Sequence, residues 1–567
     1  MRRLFDEHIK RKVTFLDGIW KFNVDKEDIG EDEQWYKSLP QYTEVNVPSV
    51  WNKDLGLFEY SGAAWYERNF YNTGGTIKLV FEAVMTECKV WLDGEYIGYH
   101  YGGFCQFDFI LRDVKEGYHT LTLKVDNRVD ENSIPQKVAD WYPYGGITRS
   151  VSVENLTGIS TVYQKFDYTL SDDLKEADIV FTAELYNADN TDLTENFSIN
   201  LGKDCIYNCP VTLKAGETQT IVTDSIKISD IAIWDNKTPN LYNVAFITDS
   251  DDLFDRIGFR KIETRGNKIY LNNKPFEFRG VNRHEDHPDW GMAFPVGLMK
   301  RDLDIVEDLG CNTIRGSHYP NSRIFVDMLD SRGILFWSEI PIWGCGFSEE
   351  ALGNEIVVKR GLDMHKEMVK YYYNHPCIVF WGMHNEIKSD TENALNMTKL
   401  YYSFLKENGG NRLVTYASDK PKIDICFEYT DVISINQYHG WYYGTKDSWQ
   451  PFLDSFKERL ESLNLSDKPM LMSEFGGAAL YGHHTFDNVK WTEEYQAELL
   501  SHCLTVFHES PMISGYYIWQ FTDMRSNKDL AKAKCLNNKG ILNEYRNPKL
   551  SYKAVKERNL TFKSEEN

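Results

Sequence analysis

Two glutamates at the ends of apolar segments are the residues of this sequence best placed to do chemistry. Glu386 ends the segment Pro376–Glu386 (PCIVFWGMHNE), and Glu474 ends Pro469–Glu474 (PMLMSE). Both segments are continuously apolar, which is typical of strands buried on both faces. Because an unpaired carboxylate is costly to bury, each glutamate either pairs with an arginine or serves a site. Two carboxyls together could protonate a leaving group and attack or activate water, which is the chemistry of glycoside hydrolysis.

The C-terminal half of the chain contains the elements that would position these glutamates. From residue 266 onward, apolar strand segments alternate with helical periodicity, the pattern of βα units and a parallel sheet. Eight such strands predict a (β/α)8 TIM barrel with a short, irregular link between strands five and six. The predicted strands are Phe276–Val281, Asn312–Arg315, Ile334–Ser338, Ile378–Trp381, Leu413–Ala417, Val432–Ile435, Met470–Ser473 and Tyr516–Phe521. The predicted helices are Leu298–Leu309, Ile324–Ser331, Glu355–Tyr373, Glu392–Lys406, Trp449–Leu463 and Glu493–His508.

In a barrel of this kind, the active site is built at the carboxyl ends of the strands. Glu386 would end strand four and Glu474 strand seven, so both are expected to face the same mouth. Other polar and aromatic side chains follow the strands at this rim, and the aromatic ones suit stacking on sugar faces. They are Arg283, His284, Glu285, Asp286, Arg315, Ser317, His318, Glu339, Asn436, Tyr438, Tyr442, Trp519 and Asp523.

Two strand-rich regions precede the barrel. Short strands separated by turn signals, without a helical period, predict a jelly-roll β-sandwich first and then a small immunoglobulin-like sandwich. We therefore expect three domains: a jelly-roll, sugar-binding-like domain at 1–155, an immunoglobulin-like β-sandwich at 156–265 and a catalytic (β/α)8 barrel at 266–567. The first domain ends in an aromatic, glycine-rich loop, Asp140–Arg149 (DWYPYGGITR), whose composition suits sugar recognition.

The charge and composition of the chain argue against several kinds of binding partner. A formal net charge of −22 argues against nucleic acid and anionic membranes. No segment approaches the length of a membrane span, and the N-terminal residues lack the apolar region of a secretory signal. The ten cysteines show no disulfide-framework or metal spacing. We therefore expect a cytoplasmic protein with no nucleic-acid or membrane partner. Binding of an acidic small molecule would require a local cationic site.

Three other interpretations of the rim compete. A metal site would draw on scattered histidines and glutamates, but no His-Glu-x-x-His pair on a helix occurs. A Ser-His-Asp hydrolase is disfavoured because no G-x-S-x-G motif is present. A carbohydrate-binding protein without catalysis would have no need of both strand-end glutamates. The potential metal ligands weighed are His284, His287, His318, His384, Glu285 and Glu339.

The chain resembles glycoside hydrolase family 2, which contains β-galactosidases, β-glucuronidases and β-mannosidases, along nearly its whole length. The resemblance implies that Glu386 is the general acid/base and Glu474 the nucleophile of a retaining mechanism. It also implies that Tyr442 supports the nucleophile and that Asn385 holds the 2-hydroxyl of the sugar. The matching segments are Gly280–His287 (GVNRHEDH), Arg315–Pro320 (RGSHYP), Trp337–Pro341 (WSEIP), His375-Pro376, Asn385-Glu386 and Ser473–Gly476 (SEFG).

A motif after strand eight indicates which sugar is bound. Leu536–Gly540 (LNNKG) resembles the Asn-x-Lys motif of family members that hydrolyse glucuronides, which implies that Asn537 and Lys539 bind the carboxylate of a uronic acid. An ammonium and an amide donor would satisfy that carboxylate with charge-assisted hydrogen bonds. His318, Tyr438 and Trp519 are further residues expected to bind substrate.

Two departures from the best-known glucuronidases leave the substrate open. Asp140 matches a family residue that binds the 4-hydroxyl of the sugar, but Pro143 differs from the expected residue, so β-galacturonides remain an alternative. The segment Pro341–Glu355 is short, which implies an open mouth that would admit oligosaccharide ends.

The sequence thus predicts a retaining exo-β-glucuronidase that hydrolyses terminal β-D-glucuronides of small molecules or oligosaccharides, with no cofactor and no metal. A β-galacturonidase with the same residues is the first alternative, and a β-galactosidase the second. The alternative from another class is a catalytically silent carbohydrate-binding protein. Family members are often dimers or tetramers, so a homo-oligomer remains open.

Overall fold

An eight-stranded parallel barrel closes within the C-terminal part of the chain in the computed structural model, which describes residues 3–527 and 532–565. Each strand pairs in parallel with the next, and strand one closes the barrel on strand eight. All eight predicted strands are confirmed. In chain order, barrel strands one to eight are Phe278–Asn282, Thr313–Gly316, Leu335–Glu339, Ile378–Asn385, Leu413–Ser418, Val432–Asn436, Met470–Glu474 and Ile513–Ile518.

Strands four and seven are buried along their whole length, as their continuous apolar sequences indicate. A barrel strand packs against helices on one face and against the barrel interior on the other, so neither face is left for polar residues. Inside the barrel, the ring of Trp337 packs on Phe380 and Tyr517 with centroids 5.8 and 5.7 Å away. The two glutamates therefore lie at the ends of two strands that are buried along their whole length.

The helices lie between the strands as their periodicity predicts. Glu493–Glu509 begins where the Thr492 side chain accepts a hydrogen bond from the backbone N–H of Tyr495, a normal N-cap. The link between strands five and six contains no helix, which confirms the predicted irregular unit. The helices of the described barrel region are Val296–Asp308, Arg323–Arg332, Glu349–Gly353, Glu355–Tyr372, Glu392–Asn408, Trp449–Ser462, Glu493–Glu509 and Leu550–Glu565.

The first region is an antiparallel β-domain around its own core. Its two longest strands, Ala63–Phe81 and Phe107–Asp126, pair along most of their length. The rings of Trp20, Trp51 and Tyr66 are buried between the strands. This agrees with the predicted jelly-roll class. The strands of its main sheet are Val13–Phe15, Gly18–Asp25, Thr43–Val47, Ala63–Phe81, Glu87–Leu92, Glu95–Tyr101, Phe107–Asp126 and Val151–Leu156.

The second region consists of two four-stranded antiparallel sheets, as expected for an immunoglobulin-like sandwich. The segment between Thr218 and Ser229 forms two short strands, and between them the side chain and backbone of Thr223 both hydrogen-bond to the backbone of Phe181. One sheet is Ile159–Leu170, Glu176–Asn187, Thr218–Val222 and Ile226–Ser229; the other is Leu193–Leu201, Asp204–Leu213, Tyr242–Ile247 and Asp252–Ile257. A three-stranded sheet, Ile262–Arg265, Lys268–Leu271 and Lys274–Pro275, leads into the barrel. None of the described helices combines the length and the apolar composition needed to cross a bilayer.

Candidate active site

The two strand-end glutamates line one cavity of about 370 Å³ at the mouth of the barrel. Glu386 follows strand four with φ of 52°, in the left-handed region, and its backbone N–H donates to the carbonyl of Ala417 at 2.8 Å. Such a conformation is uncommon outside glycine and is often found at functional sites. The cavity is lined by Asp140, Trp343, Glu386, Asp419, Asn436, Gln437, Tyr438, Tyr442, Tyr443, Glu474, Trp519, Lys532, Asn537 and Lys539.

Glu474 is held by a cation and a phenol. Arg315 Nη1 donates to Oε1 at 3.0 Å, and the Tyr438 hydroxyl donates to Oε2 at 2.7 Å. Burial raises the pKa of Glu474 to about 7, while the Arg315 charge and both hydrogen bonds oppose that rise. Both partners favour the ionised carboxylate, the form required of a nucleophile.

Glu386 is held by a neutral amide instead. Asn436 Nδ2 donates to Glu386 Oε1 at 2.7 Å, and Asn436 Oδ1 accepts from Ser473 Oγ at 2.7 Å, which fixes the orientation of the amide. Burial, the charge of Glu474 and that of Asp419 together raise the pKa of Glu386 to about 8. Glu474 therefore loses its proton before Glu386 does, which leaves Glu386 as the proton donor.

The tyrosine that contacts the nucleophile is Tyr438, so the assignment of this role to Tyr442 is wrong. Tyr438 lies two residues beyond strand six, close enough to the barrel axis to reach Glu474. Tyr442 lies on the loop that follows and is 62% exposed. Its hydroxyl accepts a hydrogen bond from Lys539 Nζ at 2.7 Å. The two tyrosines stay in ring contact, with centroids 5.2 Å apart.

Arg315 connects the nucleophile to residues behind the cavity wall. Its Nη2 donates to Glu339 at 2.9 Å and to Asn385 Oδ1 at 2.8 Å. With the oxygen of Asn385 occupied in this way, its buried Nδ2 has no hydrogen-bond partner among the described residues. A buried donor without a partner is costly, and the role of Asn385 as a ligand of the sugar's 2-hydroxyl stays a prediction.

His318 lies behind the wall rather than in it. Its Nδ1 is 2.7 Å from Glu339 Oε1, and its ring stacks on Trp519 at 5.2 Å. Burial and the Arg315 charge keep the pKa of His318 well below its usual value, so the imidazole is neutral. Trp519 itself lines the cavity, as predicted for a ring that stacks on sugar. His318 therefore positions Trp519 and Glu339, and its Nε2 lies 3.9 Å from Glu474 Oε1.

One end of the cavity is cationic in an otherwise acidic protein. Lys539, only 6% exposed, lies near the rings of Tyr438, Trp441 and Tyr442, with Nζ 5.6, 6.0 and 4.8 Å from their centroids. Within the described chain, no carboxylate pairs with Lys539, and its side chain donates to the Tyr442 hydroxyl at 2.7 Å. Nearby, Asn537 Nδ2 donates to Asp140 Oδ2. The predicted pair Asn537 and Lys539 therefore does line the cavity.

Asp140 reaches the barrel from the first domain. Its backbone carbonyl accepts from Ser526 Oγ at 2.9 Å, and the backbone N–H of Tyr142 donates to the carbonyl of Arg525 at 3.2 Å. One carboxylate oxygen of Asp140 accepts from Asn537 and the other from Lys532 Nζ. A residue of the N-terminal sandwich thus completes a site that is built mainly by the barrel.

Several functional residues were missed from the sequence, and Asp523 proves to have a supporting role. Asp523 accepts from the backbone N–H of Gly540 at 2.9 Å and from Lys549 Nζ at 2.8 Å, so it holds the loop that carries Lys539. Asp419 directly follows strand five, so the strand-end rule could have found it. Gln437 likewise follows strand six directly, and no periodicity or motif marks the remaining cavity residues that were missed, Trp343, Tyr443 and Lys532.

A cluster of potential metal ligands lies away from this cavity. Ligand atoms of Asp327, Asp330 and His375 are within 4.8 Å of one another. Their oxygens already accept hydrogen bonds, from Arg3 to Asp327 at 2.8 Å and from the backbone N–H of Cys377 to Asp330 at 2.9 Å. The hydrogen bonds account for the arrangement without a metal ion.

Comparison with known proteins finds matches along nearly the whole chain. Family models match residues 13–157 (glycosyl hydrolases family 2, sugar binding domain), 161–260 (glycosyl hydrolases family 2) and 262–564 (glycosyl hydrolases family 2, TIM barrel domain). A β-glucuronidase of Streptococcus agalactiae is 27% identical over 605 residues, covering 97% of each chain. A putative β-glucuronidase of Formosa agariphila is 27% identical over 560 residues, covering 90% of this chain and 66% of that protein.

One solved structure has a higher sequence identity to this chain than these two relatives. The β-galacturonidase of Eisenbergiella tayi, crystallised with galacturonate, is 33% identical to this chain, with a TM-score of 0.92 and 99% of each chain covered.

Proposed function

We propose that this chain, which belongs to glycosyl hydrolase family 2, is a retaining exo-β-hexuronidase that removes terminal β-D-glucuronic acid from its conjugates. The observation that carries the mechanism is the pair Glu386 and Glu474 in one cavity, with partners that make Glu474 the more acidic of the two. A binding protein would gain nothing from placing both carboxyls in one cavity.

The reaction follows from these protonation states. Glu474 attacks the anomeric carbon while Glu386 gives its proton to the leaving oxygen, so the glycosidic bond breaks as the ester to Glu474 forms. Glu386, now ionised, takes a proton from water, which attacks the same carbon and releases Glu474. Each step inverts the anomeric centre, so the configuration is retained overall. We expect the two carboxyls to stand about 5–5.5 Å apart when sugar is bound.

The preference for an acid sugar rests on Lys539. An ammonium that is buried among aromatic rings, with a hydroxyl and no carboxylate as its hydrogen-bond partner among the described residues, is unfavourable on its own. The carboxylate of a uronic acid would compensate that charge, with the amide of Asn537 beside it. A neutral sugar would leave Lys539 uncompensated, so a β-galactoside is the poorer substrate.

A β-galacturonide is the second candidate substrate. The higher identity to the Eisenbergiella tayi β-galacturonidase than to the Streptococcus agalactiae β-glucuronidase favours it. The two uronic acids differ only in the configuration at C4, and Asp140 is the residue expected to bind the 4-hydroxyl. Both carboxylate oxygens of Asp140 already accept hydrogen bonds, from Asn537 and Lys532, so the position of these donors would decide which epimer fits.

Parallel assays test this function. Purified protein is offered p-nitrophenyl β-glucuronide, β-galacturonide and β-galactoside, and kcat/KM is measured for each. We expect one or both uronides to be hydrolysed at least about a hundredfold faster than the galactoside, the discrimination that a buried charged pair gives. Comparable rates on all three would refute uronide specificity, and no turnover of any would support a silent binding protein.

A cytoplasmic location forms part of the same proposal. Nine cysteines of the described chain are free thiols, which suits a reducing compartment.

A further inference from the structure

A closed ring of hydrogen bonds connects the partners of the two glutamates. Arg315 Nη2 donates to Asn385 Oδ1 at 2.8 Å, and Asn436 Nδ2 donates to the same oxygen at 3.1 Å. In the other direction, Arg315 Nη1 donates to Asn282 Oδ1 at 3.2 Å, and Asn282 Nδ2 donates to the backbone carbonyl of Ser473 at 2.9 Å. The Ser473 hydroxyl closes the ring by donating to Asn436 Oδ1 at 2.7 Å. All five residues are buried.

The ring has a single polarity, because some of its groups can act in only one way. The guanidinium of Arg315 only donates, so the oxygens of Asn385 and Asn282 must face it. Since the oxygen of Asn385 only accepts, the Nδ2 group of Asn436 must face that oxygen. Asn436 Oδ1 is then turned toward Ser473, whose hydroxyl can donate or accept and here must donate.

The ring meets the proton donor through one amide. Asn436 Nδ2 donates to Glu386 Oε1 at 2.7 Å, and a hydrogen bond of this kind stabilises the ionised carboxylate. In the proposed reaction Glu386 is ionised after it has protonated the leaving group, and it then takes a proton from water. An Asn436 amide turned the other way would present its oxygen to Glu386 and favour the protonated form instead. The orientation of this amide therefore bears on both halves of the reaction.

An irregularity in the barrel brings Ser473 to this amide. The pairing of strands six and seven shifts its register between Ile435 and Asn436, so that Asn436 lies opposite Glu474. Irregular pairing next to an active site often re-aims a side chain. Ser473 thus directly precedes the nucleophile in the sequence, but its side chain contacts the partner of the proton donor.

We infer, on the basis of the proposed function, that Ser473 is a positioning residue for the proton donor: its hydroxyl fixes the amide of Asn436, and that amide keeps an N–H directed at Glu386. Without the hydroxyl, Asn436 Oδ1 is buried with one donor fewer, which favours movement or reversal of the amide. Either change removes stabilisation from the ionised form of Glu386, so the pKa of Glu386 rises.

Other groups around Glu386 keep their charges when Ser473 is substituted. Both serine and alanine are neutral, so Ser473→Ala leaves the net charge of the site unchanged. A shift in the pKa of Glu386 would therefore report the amide and not a lost charge. The titratable groups that interact electrostatically with Glu386 are Glu474 on strand seven, Asp419 and Lys420 after strand five, and Tyr438 and Tyr443 after strand six.

The pH profile of Ser473→Ala tests this inference. The substrate is phenyl β-glucuronide or phenyl β-galacturonide, whichever the unaltered protein hydrolyses faster. The basic limb of the kcat/KM profile reports loss of the proton from Glu386, and we expect it to move up by about half to one pH unit. The acidic limb, which reports Glu474, should stay in place. A basic limb that does not move would overturn the inference.

Strand six offers a matched control. Ser434 is also a buried serine of a barrel strand, and its hydroxyl lies 2.8 Å from that of Thr415. Ser434→Ala removes a buried hydroxyl in the same way and should leave both limbs where they are. Ser473→Thr retains a hydroxyl and should restore the basic limb to its position in the unaltered protein. Equal shifts in the two alanine variants, or no recovery with threonine, would show a general packing effect and refute the positioning role.

Titration of Glu386 without substrate separates this inference from the proposed function. Protein labelled with ¹³C at the glutamate side-chain carboxyl carbons is titrated by NMR, and the Glu386 signal is identified by its loss in Glu386→Gln. A higher pKa of Glu386 in Ser473→Ala than in the unaltered protein would support the positioning role even if no uronide were hydrolysed. Hydrolysis of uronides with the same Glu386 pKa in both proteins would leave the hexuronidase intact and refute the role of Ser473.

Discussion

Glu474 and Glu386 make an instructive comparison, because each is a glutamate at the end of a barrel strand, with Glu474 buried and Glu386 partly buried. They differ in their partners: a guanidinium and a phenol donate to Glu474, and an amide donates to Glu386. Burial raises the pKa of both glutamates, so burial does not distinguish the nucleophile from the proton donor. The hydrogen-bond donors that each strand end meets decide which carboxyl is the nucleophile and which the acid.

The largest expected effect comes from removing the nucleophile. Glu474→Gln should lower kcat about 10⁴-fold or more, since an amide cannot form the ester of the glycosyl-enzyme. It should also abolish covalent labelling by a 2-deoxy-2-fluoro uronosyl fluoride, detected by mass spectrometry of the intact protein. Labelling that persists at the same site would show that Glu474 is not the nucleophile.

Substitution of the proton donor, Glu386, by glutamine should have a different effect on labelling than substitution of Glu474. Glu386→Gln is expected to reduce hydrolysis of a phenyl uronide about 10³-fold, because phenoxide leaves poorly without a proton. Labelling by the fluoro-sugar should survive, since fluoride departs without protonation in the first step. If Glu386→Gln lost labelling as completely as Glu474→Gln, the two carboxyls would not have separate roles.

Recognition of the substrate carboxylate by the cationic end of the cavity can be tested by substituting lysines. Lys539→Ala is expected to lower kcat/KM for uronides about a hundredfold, the value of a lost charge-assisted contact, while any activity on a galactoside stays within about twofold. Lys490→Ala is the matched control, because the ammonium of Lys490 also lies near the ring of Trp441 but Lys490 does not line the cavity. It should change both activities little. Similar losses from both lysine variants would mean general attraction of the anion and not recognition of the carboxylate.

The smallest expected effect is a shift of the pH profile of activity when Tyr438 is substituted. Activity should rise as Glu474 ionises near its pKa of about 7 and fall as Glu386 loses its proton near about 8. Tyr438→Phe removes a hydrogen bond to the ionised carboxylate, which raises the pKa of Glu474 and moves the acidic limb of the kcat/KM profile up by about one pH unit. Tyr442→Phe should leave that limb in place. A shift with Tyr442→Phe and none with Tyr438→Phe would restore the sequence-based assignment.

The barrel and its pair of glutamates could be predicted from the sequence because both depend on local patterns. A strand buried on both faces must be apolar throughout, so segments such as Ile378–Asn385 and Met470–Glu474 are visible without any knowledge of their neighbours. The closure of eight parallel strands then brings their carboxyl ends together, and this places Glu386 and Glu474 at one mouth.

Only the tertiary structure decided which side chains reach those glutamates and what surrounds them. Tyr438 and Tyr442 are both aromatic residues of one irregular loop, and no periodicity tells which ring faces the barrel axis. Lys532 meets Asp140 across a domain boundary, a contact that no local pattern encodes. Strands follow from the burial of their own residues, whereas loop contacts depend on the packing of distant segments, and that packing exists only once the chain has folded.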